Sequence, residues 1–512
     1  MIKKTYTSNY IRIYLWQGIS MVVGFLALFI VTPKLTTVPL LYGIYSICIS
    51  TTFFLTYADI GFLGAGYKYV SEKFAINNLN EEIRIIGFVS FILFVSVGLF
   101  SLVMLVFAVN PHMLIRDLNN PKEIAVASKL LLILAVFSPT VILQRMCQMV
   151  FGVRLEDFIY QRFSILTNLA RIGSIFYFFN GAKYDIVGYF LFFQAIGLIA
   201  NIVFLVIIKT KYHYNFSLLA RSFRFSAEIY NQTKKLALGS FFATIIFILF
   251  YELDLFAIGR LSGAEMAGFY GVGLTIMSFF RGIVGVIYGP FMARFNHFMG
   301  LNDIPGLRKF LYNVIILTLP LIVFPITSMV MLMKPMILCW VGPNYNLSIA
   351  VAQFLAMTFI YNFIAQPISI LITAQARIEA MCAITLVMVI IYWTGVFSTF
   401  PFIGILAFAI FKFIAFTVSA IFYFILAAKF LEFRSMDLLK WIISPAIIPT
   451  LFLMAILAYI GRFMPVEKSK IDLFIIMGTG GLASFAATCL YYMSSVYFRN
   501  YVNGEFTKLV RV

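Results

Sequence analysis

The chain has few charged residues, few histidines and no paired cysteines. Only 11% of its 512 residues are charged, against roughly 25% in soluble domains, and no polar run is long enough to fold as a soluble domain of its own. The five cysteines are scattered singly through apolar segments, which excludes a disulfide framework. The three histidines fall in predicted connections, so no metal site is expected.

Motifs of soluble and membrane-embedded enzymes are also missing. The sequence has no HExxH, GxSxG or P-loop, and its longest outer connection, NPHMLIRDLNNPKE, is too small to hold an active site by itself. We therefore expect neither an enzyme nor a cofactor.

Long apolar segments dominate what is present. Hydrophobic residues make up 62% of the chain and its mean hydropathy is +0.99. About 20 residues cross a bilayer as a helix, and fourteen segments of that kind can be placed: 12–32, 38–58, 84–109, 124–150, 158–180, 186–208, 235–259, 267–292, 309–333, 346–371, 378–400, 402–428, 440–461 and 471–496. The sequence predicts an all-α polytopic membrane protein with about 14 transmembrane helices.

The basic residues indicate how these helices are oriented. With the N-terminus in the cytoplasm, 24 of the 38 lysines and arginines lie on the cytoplasmic side and 10 on the other, as the positive-inside rule requires. Both termini are then cytoplasmic. The net charge of +18 follows from this distribution, so we do not expect nucleic-acid binding.

A repeated pattern suggests two related halves. PKLTTVPLLYGIY (33–45) follows the first helix and GRLSGAEMAGFY (259–270) follows the seventh, and Gly43 and Tyr45 correspond to Gly268 and Tyr270. Six helices separate the copies, so two pseudo-symmetric lobes should be related by an axis along the membrane normal; chance similarity between apolar sequences is the alternative. The predicted parts are an N-lobe (1–208), a basic cytoplasmic linker (209–234) that lies at the membrane interface, a C-lobe (235–429), and a C-terminal helix pair with a tail (430–512).

Four cations lie inside the predicted spans. Arg171, Arg281 and Lys412 come near the bilayer midplane, and Arg145 lies closer to the cytoplasm. A charge at that depth survives by facing a wet cavity or a partner, so these four are candidate ligands for an anionic substrate. For Arg145 the alternative is snorkelling to the headgroups, and for Lys412 it is pairing with a backbone carbonyl or snorkelling.

Two acids, Glu252 and Asp254, lie towards the outer end of the seventh span. Two positions apart on one helix, they would point about 200° away from each other. They are candidates for ion coupling or gating, and a structural ion pair with an arginine is the alternative.

Three motifs then resemble those of Wzx-type O-antigen and capsule flippases, within the multidrug, oligosaccharidyl-lipid and polysaccharide exporter superfamily. They are YADIGFLGAGYKYVSE (57–72), ELDLFAIGRLSGAEMAGFYGVG (252–273) and LCWVGPNYNLSIAVAQFLAM (338–357), in the family's order and spacing. One departure is Ala376, where relatives often have glycine before the basic residue.

The resemblance implies two six-helix lobes around a cavity that receives the pyrophosphate-sugar head of an undecaprenyl-linked oligosaccharide. It further implies a monomer in the bacterial inner membrane that takes up its cargo among membrane lipids, with a polysaccharide polymerase and a chain-length regulator as candidate partners. A lipid II flippase and a drug or cation antiporter of the same superfamily are alternatives. A membrane-embedded polysaccharide polymerase or ligase is the alternative from a different class.

Overall fold

The described part of the chain is helical throughout. In a computed structural model, residues 2–56, 61–181, 183–300, 303–374, 378–431, 440 and 443–510 are described, and they contain no β-strand. Their α-helices are α1 (Ile2–Leu35), α2 (Pro39–Thr56), α3 (Phe62–Ala75), α4 (Leu79–Val109), α5 (Pro121–Phe137), α6 (Thr140–Val153), α7 (Phe158–Phe178), α8 (Ile186–Lys211), α9 (Phe216–Ser222), α10 (Ala227–Tyr251), α11 (Asp254–Gly300), α12 (Ile304–Met331), α13 (Met333–Trp340), α14 (Asn346–Met357), α15 (Asn362–Ala374), α16 (Ile378–Ile403), α17 (Leu406–Leu431), α18 (Ser444–Ile460), α19 (Lys470–Ser494) and α20 (Val496–Val510).

Many of these helices have the length and composition of membrane spans. Seven single helices in the described ranges qualify, and the bent pairs α5 with α6 and α14 with α15 raise the number to nine. The chain is thus a multi-pass membrane protein, and the predicted all-helical fold class is confirmed. The number of fourteen spans stays a prediction.

Contacts divide the chain into two compact units, Met1–Gly268 and Phe269–Val512. The first unit includes α10 and the start of α11 in addition to the region predicted as the N-lobe. The division into lobes 1–208 and 235–429, joined by 209–234, stays a prediction.

The predicted linker is largely helical and packs on α4. Helix α8 continues to Lys211, α9 lies within the linker, and α10 begins inside it. The ring of Phe223 lies 5.8 Å from that of Phe91 and 5.5 Å from that of Phe94. Gly87 permits this approach, since a β-carbon built there would lie 2.6 Å from the β-carbon of Ser222. Its association with lipid stays a prediction.

Within the first unit, the two segments of the repeated pattern pack against each other. A β-carbon on Gly43 of α2 would lie 1.6 Å from the carbonyl oxygen of Ala264, and one on Gly268 would lie 2.7 Å from the carbonyl oxygen of Pro39. Helix α11 turns at Gly263, whose φ of 84° favours glycine. Small residues therefore bring two helix backbones into contact.

The second unit is built around α12. The C-terminal helices α18 and α19 pack against each other and against α12, where the Oγ atoms of Ser328 and Ser484 are 2.8 Å apart. Helices α16 and α17 form a second close pair: a β-carbon on Gly395 would lie 1.9 Å from Cδ1 of Phe411.

Candidate functional site

A polar pocket lies inside the first unit, between α2, α5, α6, α7 and α8. It has a volume of about 380 Å³, and 11 of the 21 residues that line it are polar. One of these, Arg145, is charged, and no lining residue in the described chain is a carboxylate. An intramembrane pocket with this lining suits a ligand rich in hydrogen-bonding groups rather than a purely apolar one.

The pocket exists because the span formed by α5 and α6 is bent by 43°. Pro139 at the bend has no N–H to donate to the carbonyl of Ala135. Oγ of Ser138 donates to that carbonyl instead, at 3.0 Å, and also lies 2.5 Å from Oγ of Ser101 on α4. The bend is therefore satisfied internally, as backbone at membrane depth must be.

Two polar pairs fix one part of the lining. The Nε2 atom of Gln144 donates to the hydroxyl of Tyr160 at 2.7 Å, which joins α6 to α7. The Nδ2 atom of Asn201 donates to the carbonyl oxygen of Thr140 at 3.2 Å, which joins α8 to α6.

Two further carboxamides in the lining make no such bond. Asn168 on α7 and Gln194 on α8 both line the pocket and are half-buried. Neither side chain forms a hydrogen bond with any residue in the described ranges. Both residues are half-buried, so their amide groups are open to hydrogen bonds with water or a ligand in the pocket.

Arg145, predicted as a substrate ligand, lies on the pocket wall. It is half-buried on α6 and donates to Oε1 of Gln148 at 3.3 Å. It lies between one and two turns after the bend at Pro139 and is part of the pocket lining.

Arg171, also predicted as a substrate ligand, lies just behind the pocket. Its Nε donates to the hydroxyl of Tyr189 at 2.7 Å, it lies near enough to Tyr45 to interact electrostatically with that side chain, and its guanidinium lies 5.1 Å from the ring centroid of Phe193, which lines the pocket. Among the described residues it forms no ion pair with a carboxylate. Two tyrosines and a phenylalanine therefore orient this charge without neutralising it.

The other two predicted cations belong to the second unit. Arg281 is half-buried on α11. Lys412 is fully buried on α17, with Nζ 5.2 Å from the ring centroid of Tyr392 on α16. The structure thus brings Arg145 and Arg171 to one pocket and places Arg281 and Lys412 elsewhere, and the role of all four as substrate ligands stays a prediction.

Glu252 and Asp254 lie at a break between two helices. Helix α10 ends at Tyr251 and α11 begins at Asp254, so the expectation that both acids lie on one continuous helix is wrong. An acid in the first turn stabilises a helix start through the helix dipole, which favours the break at this position. Glu252 is 6% exposed and Asp254 is 1% exposed, and their coupling role stays a prediction.

A buried ion pair lies at the end of the first unit that the charge distribution predicts to be cytoplasmic. Nη1 of Arg154 is 2.7 Å from Oε1 of Glu82, with side chains 9% and 2% exposed, and Tyr214 donates its hydroxyl to the same carboxylate. The guanidinium also lies 4.8 Å from the ring centroids of Phe74 and Tyr212. The end of α3, the start of α4 and the segments that follow α6 and α8 therefore meet at one salt bridge, which we call the loop clasp.

The charges in the loop clasp shift the pKa values of Tyr214 and Arg154. Burial raises the pKa of the Tyr214 hydroxyl, and the negative charge of Glu82 raises it further. Burial opposes the charge on Arg154, but its hydrogen bond to Glu82 prevails and raises its pKa. A second, more exposed group extends the clasp, where Lys211 and Tyr212 both donate to Glu156.

Sequence reasoning missed the pocket carboxamides and the loop clasp. Gln144, Asn168 and Gln194 are uncharged polar residues inside apolar segments, and a search for such residues finds them. Glu82 and Arg154 stand near predicted span ends among many other charges, and nothing in the sequence indicates that they pair. Asp59 and Ala376 of the quoted motifs lie outside the described residues.

Comparison with known proteins shows the fold. No protein-family model matches the chain, and no curated protein matches it. A solved structure of the lipid II flippase MurJ in an inward closed conformation is similar at a TM-score of 0.64 and 14% identity, over 93% of this chain and 99% of that one. An inward-facing multidrug resistance MATE family transporter of the MOP superfamily is similar at 0.62 and 11% identity, over 79% and 94%. An outward-facing multidrug resistance MATE family transporter of the MOP superfamily is similar at a TM-score of 0.53 and 13% identity, over 83% of this chain and 95% of that one. The chain has the fold of the MOP superfamily transporters.

Proposed function

We propose that this protein is a flippase for an undecaprenyl-pyrophosphate-linked oligosaccharide, the repeat unit of an O-antigen or capsule. It carries this lipid from the cytoplasmic to the periplasmic leaflet of the bacterial inner membrane by alternating access, with both termini in the cytoplasm. The observation that carries the proposal is the pair of guanidinium groups, Arg145 on the pocket wall and Arg171 behind Phe193, in a membrane unit whose described pocket lining has no carboxylate.

The electrostatics of the first unit suit an anionic cargo. An arginine in the middle of a membrane helix costs about 2.5–3.5 kcal/mol on insertion scales. Arg171 is held by the neutral tyrosines Tyr189 and Tyr45, so its positive charge is retained for a ligand. A pyrophosphate offers several oxygens to a guanidinium fork, and the attraction is stronger inside a membrane protein than in water.

Transport against a gradient requires coupling. Glu252 and Asp254 are buried acids at a helix break, and we assign to them the binding of a coupling ion, for which a proton is the simplest candidate. Glu252→Gln and Asp254→Asn should each make transport into vesicles insensitive to an imposed proton gradient. A gradient dependence equal to that of the parent protein in both variants would remove them from this role.

The function is tested by transport of a defined lipid-linked oligosaccharide into proteoliposomes. Arg145→Ala and Arg171→Ala should each lower the rate at least about tenfold, the loss expected when a charge-assisted contact of about 1.5–3 kcal/mol is removed. Lys209→Ala, at the exposed end of α8, is the matched control and should transport normally. If both arginine variants are folded and transport at the parent rate, the site assignment is wrong.

A second candidate is a lipid II flippase, which the similarity to MurJ over 93% of this chain favours. Offering lipid II and a lipid-linked O-antigen unit to the same proteoliposomes decides between them by the faster cargo. Labelling of Ser164→Cys distinguishes a drug or cation antiporter, because Ser164 lines the pocket. The cysteine of a cationic pocket reacts faster with a negatively charged thiol reagent than with a positively charged one. A polysaccharide polymerase and a chain-length regulator stay predicted partners.

A further inference from the structure

We propose that the pocket of the first unit binds uncharged sugar rings of the cargo, and that Asn168 and Gln194 select them by hydrogen bonds to their hydroxyl groups. The proposal rests on the proposed function, which it deepens: the arginines hold the pyrophosphate, and the pocket recognises the glycan attached to it. It is a specificity subsite within the pocket whose wall also carries the charged side chain of Arg145.

The unused hydrogen-bonding groups carry this inference. Asn168 and Gln194 come from adjacent helices and line the same cavity, and neither carboxamide is engaged by another described residue. Each amide offers two donors and an acceptor with two lone pairs. Both side chains are half-buried on otherwise apolar helices, so their amide groups stay open to a ligand with matching hydrogen-bonding groups.

The chemistry of a sugar hydroxyl fits these groups. A hydroxyl donates one hydrogen bond and accepts two. A carboxamide can accept from a hydroxyl through its oxygen and donate to one through its NH2 group. A phosphate only accepts, so it would leave the amide oxygens of Asn168 and Gln194 without donors. A cationic drug would find no carboxylate among the lining residues of the described chain.

The size and rigidity of the pocket fit the same ligand. A volume of about 380 Å³ lies near the lower end of the roughly 300–1,000 Å³ of ligand pockets, enough for one or two sugar rings. Another part of the lining is fixed by the Gln144–Tyr160 and Asn201–Thr140 hydrogen bonds. The two unused amides therefore share a pocket whose lining is already partly organised, which limits the entropy lost on binding.

Protection of a cysteine inside the pocket tests the proposal. The reporter is Thr167→Cys, because Thr167 lines the pocket and its hydroxyl bonds only to Ser164 O of its own helix. The control is Thr210→Cys, an exposed threonine outside the pocket that also bonds within its own helix. Both are made in the full-length protein after replacing Cys382 and Cys489 with serine, and the three buried cysteines stay.

Three probes separate sugar from phosphate. The lipid-linked oligosaccharide should slow labelling of Thr167→Cys by N-ethylmaleimide at least about fivefold, and the free oligosaccharide should do so at higher concentration. Undecaprenyl pyrophosphate without sugar, which reaches only the charged contacts, should slow the labelling less than the lipid-linked oligosaccharide does, and Thr210→Cys should not respond to any of the three. Equal protection by undecaprenyl pyrophosphate without sugar, or no protection by the oligosaccharide, overturns the proposal.

Two near-isosteric variants then assign the residues. Gln194→Met and Asn168→Leu remove no hydrogen bond within the described chain, so the protein should keep its melting temperature. Each should raise the half-protecting concentration of the lipid-linked oligosaccharide about tenfold, and unchanged values in both would overturn the assignment. If transport depends on Arg171 while the pocket cysteine is never protected, the sugar site fails and the flippase function stands.

Discussion

Gly43 and Gly268 pack backbone to backbone: a β-carbon on Gly268 would lie 3.2 Å from the amide nitrogen of Gly43. These are the two residues that occupy equivalent positions in the repeated sequence pattern. Each lies on a different helix, α2 and α11, and the contact needs glycine on both.

Gly43→Ala should therefore destabilise the protein. Its β-carbon would overlap the carbonyl oxygen of Ala264, at 1.6 Å, so the helices must separate at a cost of about 1–3 kcal/mol. The measurement is the melting temperature of the purified protein. Gly98→Ala on α4, where a β-carbon meets nothing within 4 Å, is the control and should be neutral or stabilising by up to about 1 kcal/mol. Equal melting temperatures for the two variants would contradict the close crossing.

Ser138→Ala should weaken the bend that opens the pocket. The substitution leaves the carbonyl of Ala135 without its donor and removes the contact with Ser101, at a cost of about 1–3 kcal/mol for a buried unsatisfied group. Ser96→Ala is the control, because its hydroxyl bonds to Ile92 O within a regular helix. A thermal unfolding series should show the larger loss for Ser138→Ala, and the reverse order would argue against this role of Ser138.

Breaking the loop clasp should cost far more than breaking a nearby surface pair. Glu82→Gln leaves the guanidinium of Arg154 buried without its counter-charge, at about 3–5 kcal/mol. Glu81→Gln removes the exposed pair with Arg84 and should cost about 0–1 kcal/mol.

The double variant Glu82→Leu with Arg154→Met removes both buried charges and should recover part of the loss in a double-mutant cycle. Thermal unfolding measures all of these variants. The cycle adds the losses in unfolding free energy of Glu82→Leu alone and of Arg154→Met alone. A double variant that loses more than this total would show that the pair is not coupled as described.

Alkaline pH should destabilise the protein through Tyr214. Burial and the charge of Glu82 raise the pKa of this hydroxyl in the folded state, so its stabilisation is complete below the ordinary pKa of about 10 and is lost as the pH rises above it. Tyr214→Phe should flatten the decline of melting temperature between about pH 9 and 11, while Tyr14→Phe, an exposed tyrosine, should follow the parent protein. Identical slopes in all three would exclude Tyr214 from this dependence.

Composition and charge were sufficient to predict the fold class, because only helices that satisfy their own backbone can make up so apolar a chain. Gly43 and Gly268 were visible as a repeat, but their mutual contact was not, since a pattern does not say which helices become neighbours. Arg145 and Arg171 were found because charges are conspicuous in apolar segments.

The features that were missed have a common physical cause. The helix break at Glu252 contains neither proline nor glycine, so the acid Asp254 at the start of α11 is its only local signal, and that signal is weak. Asn168 and Gln194 become recognisable as site residues only when α7 and α8 bring them to one cavity. Both the helix break and this pair depend on tertiary neighbours, which a single sequence does not provide.

The side-chain amides of Asn168 and Gln194, which bond to no other described residue, have a consequence for how the specificity of the pocket can change in evolution. Since neither is tied into the scaffold, exchanging them alters recognition at little expense to folding. Under the proposed function, a change in the transported glycan would then need only a few replacements at these positions, with the helical framework left as it was.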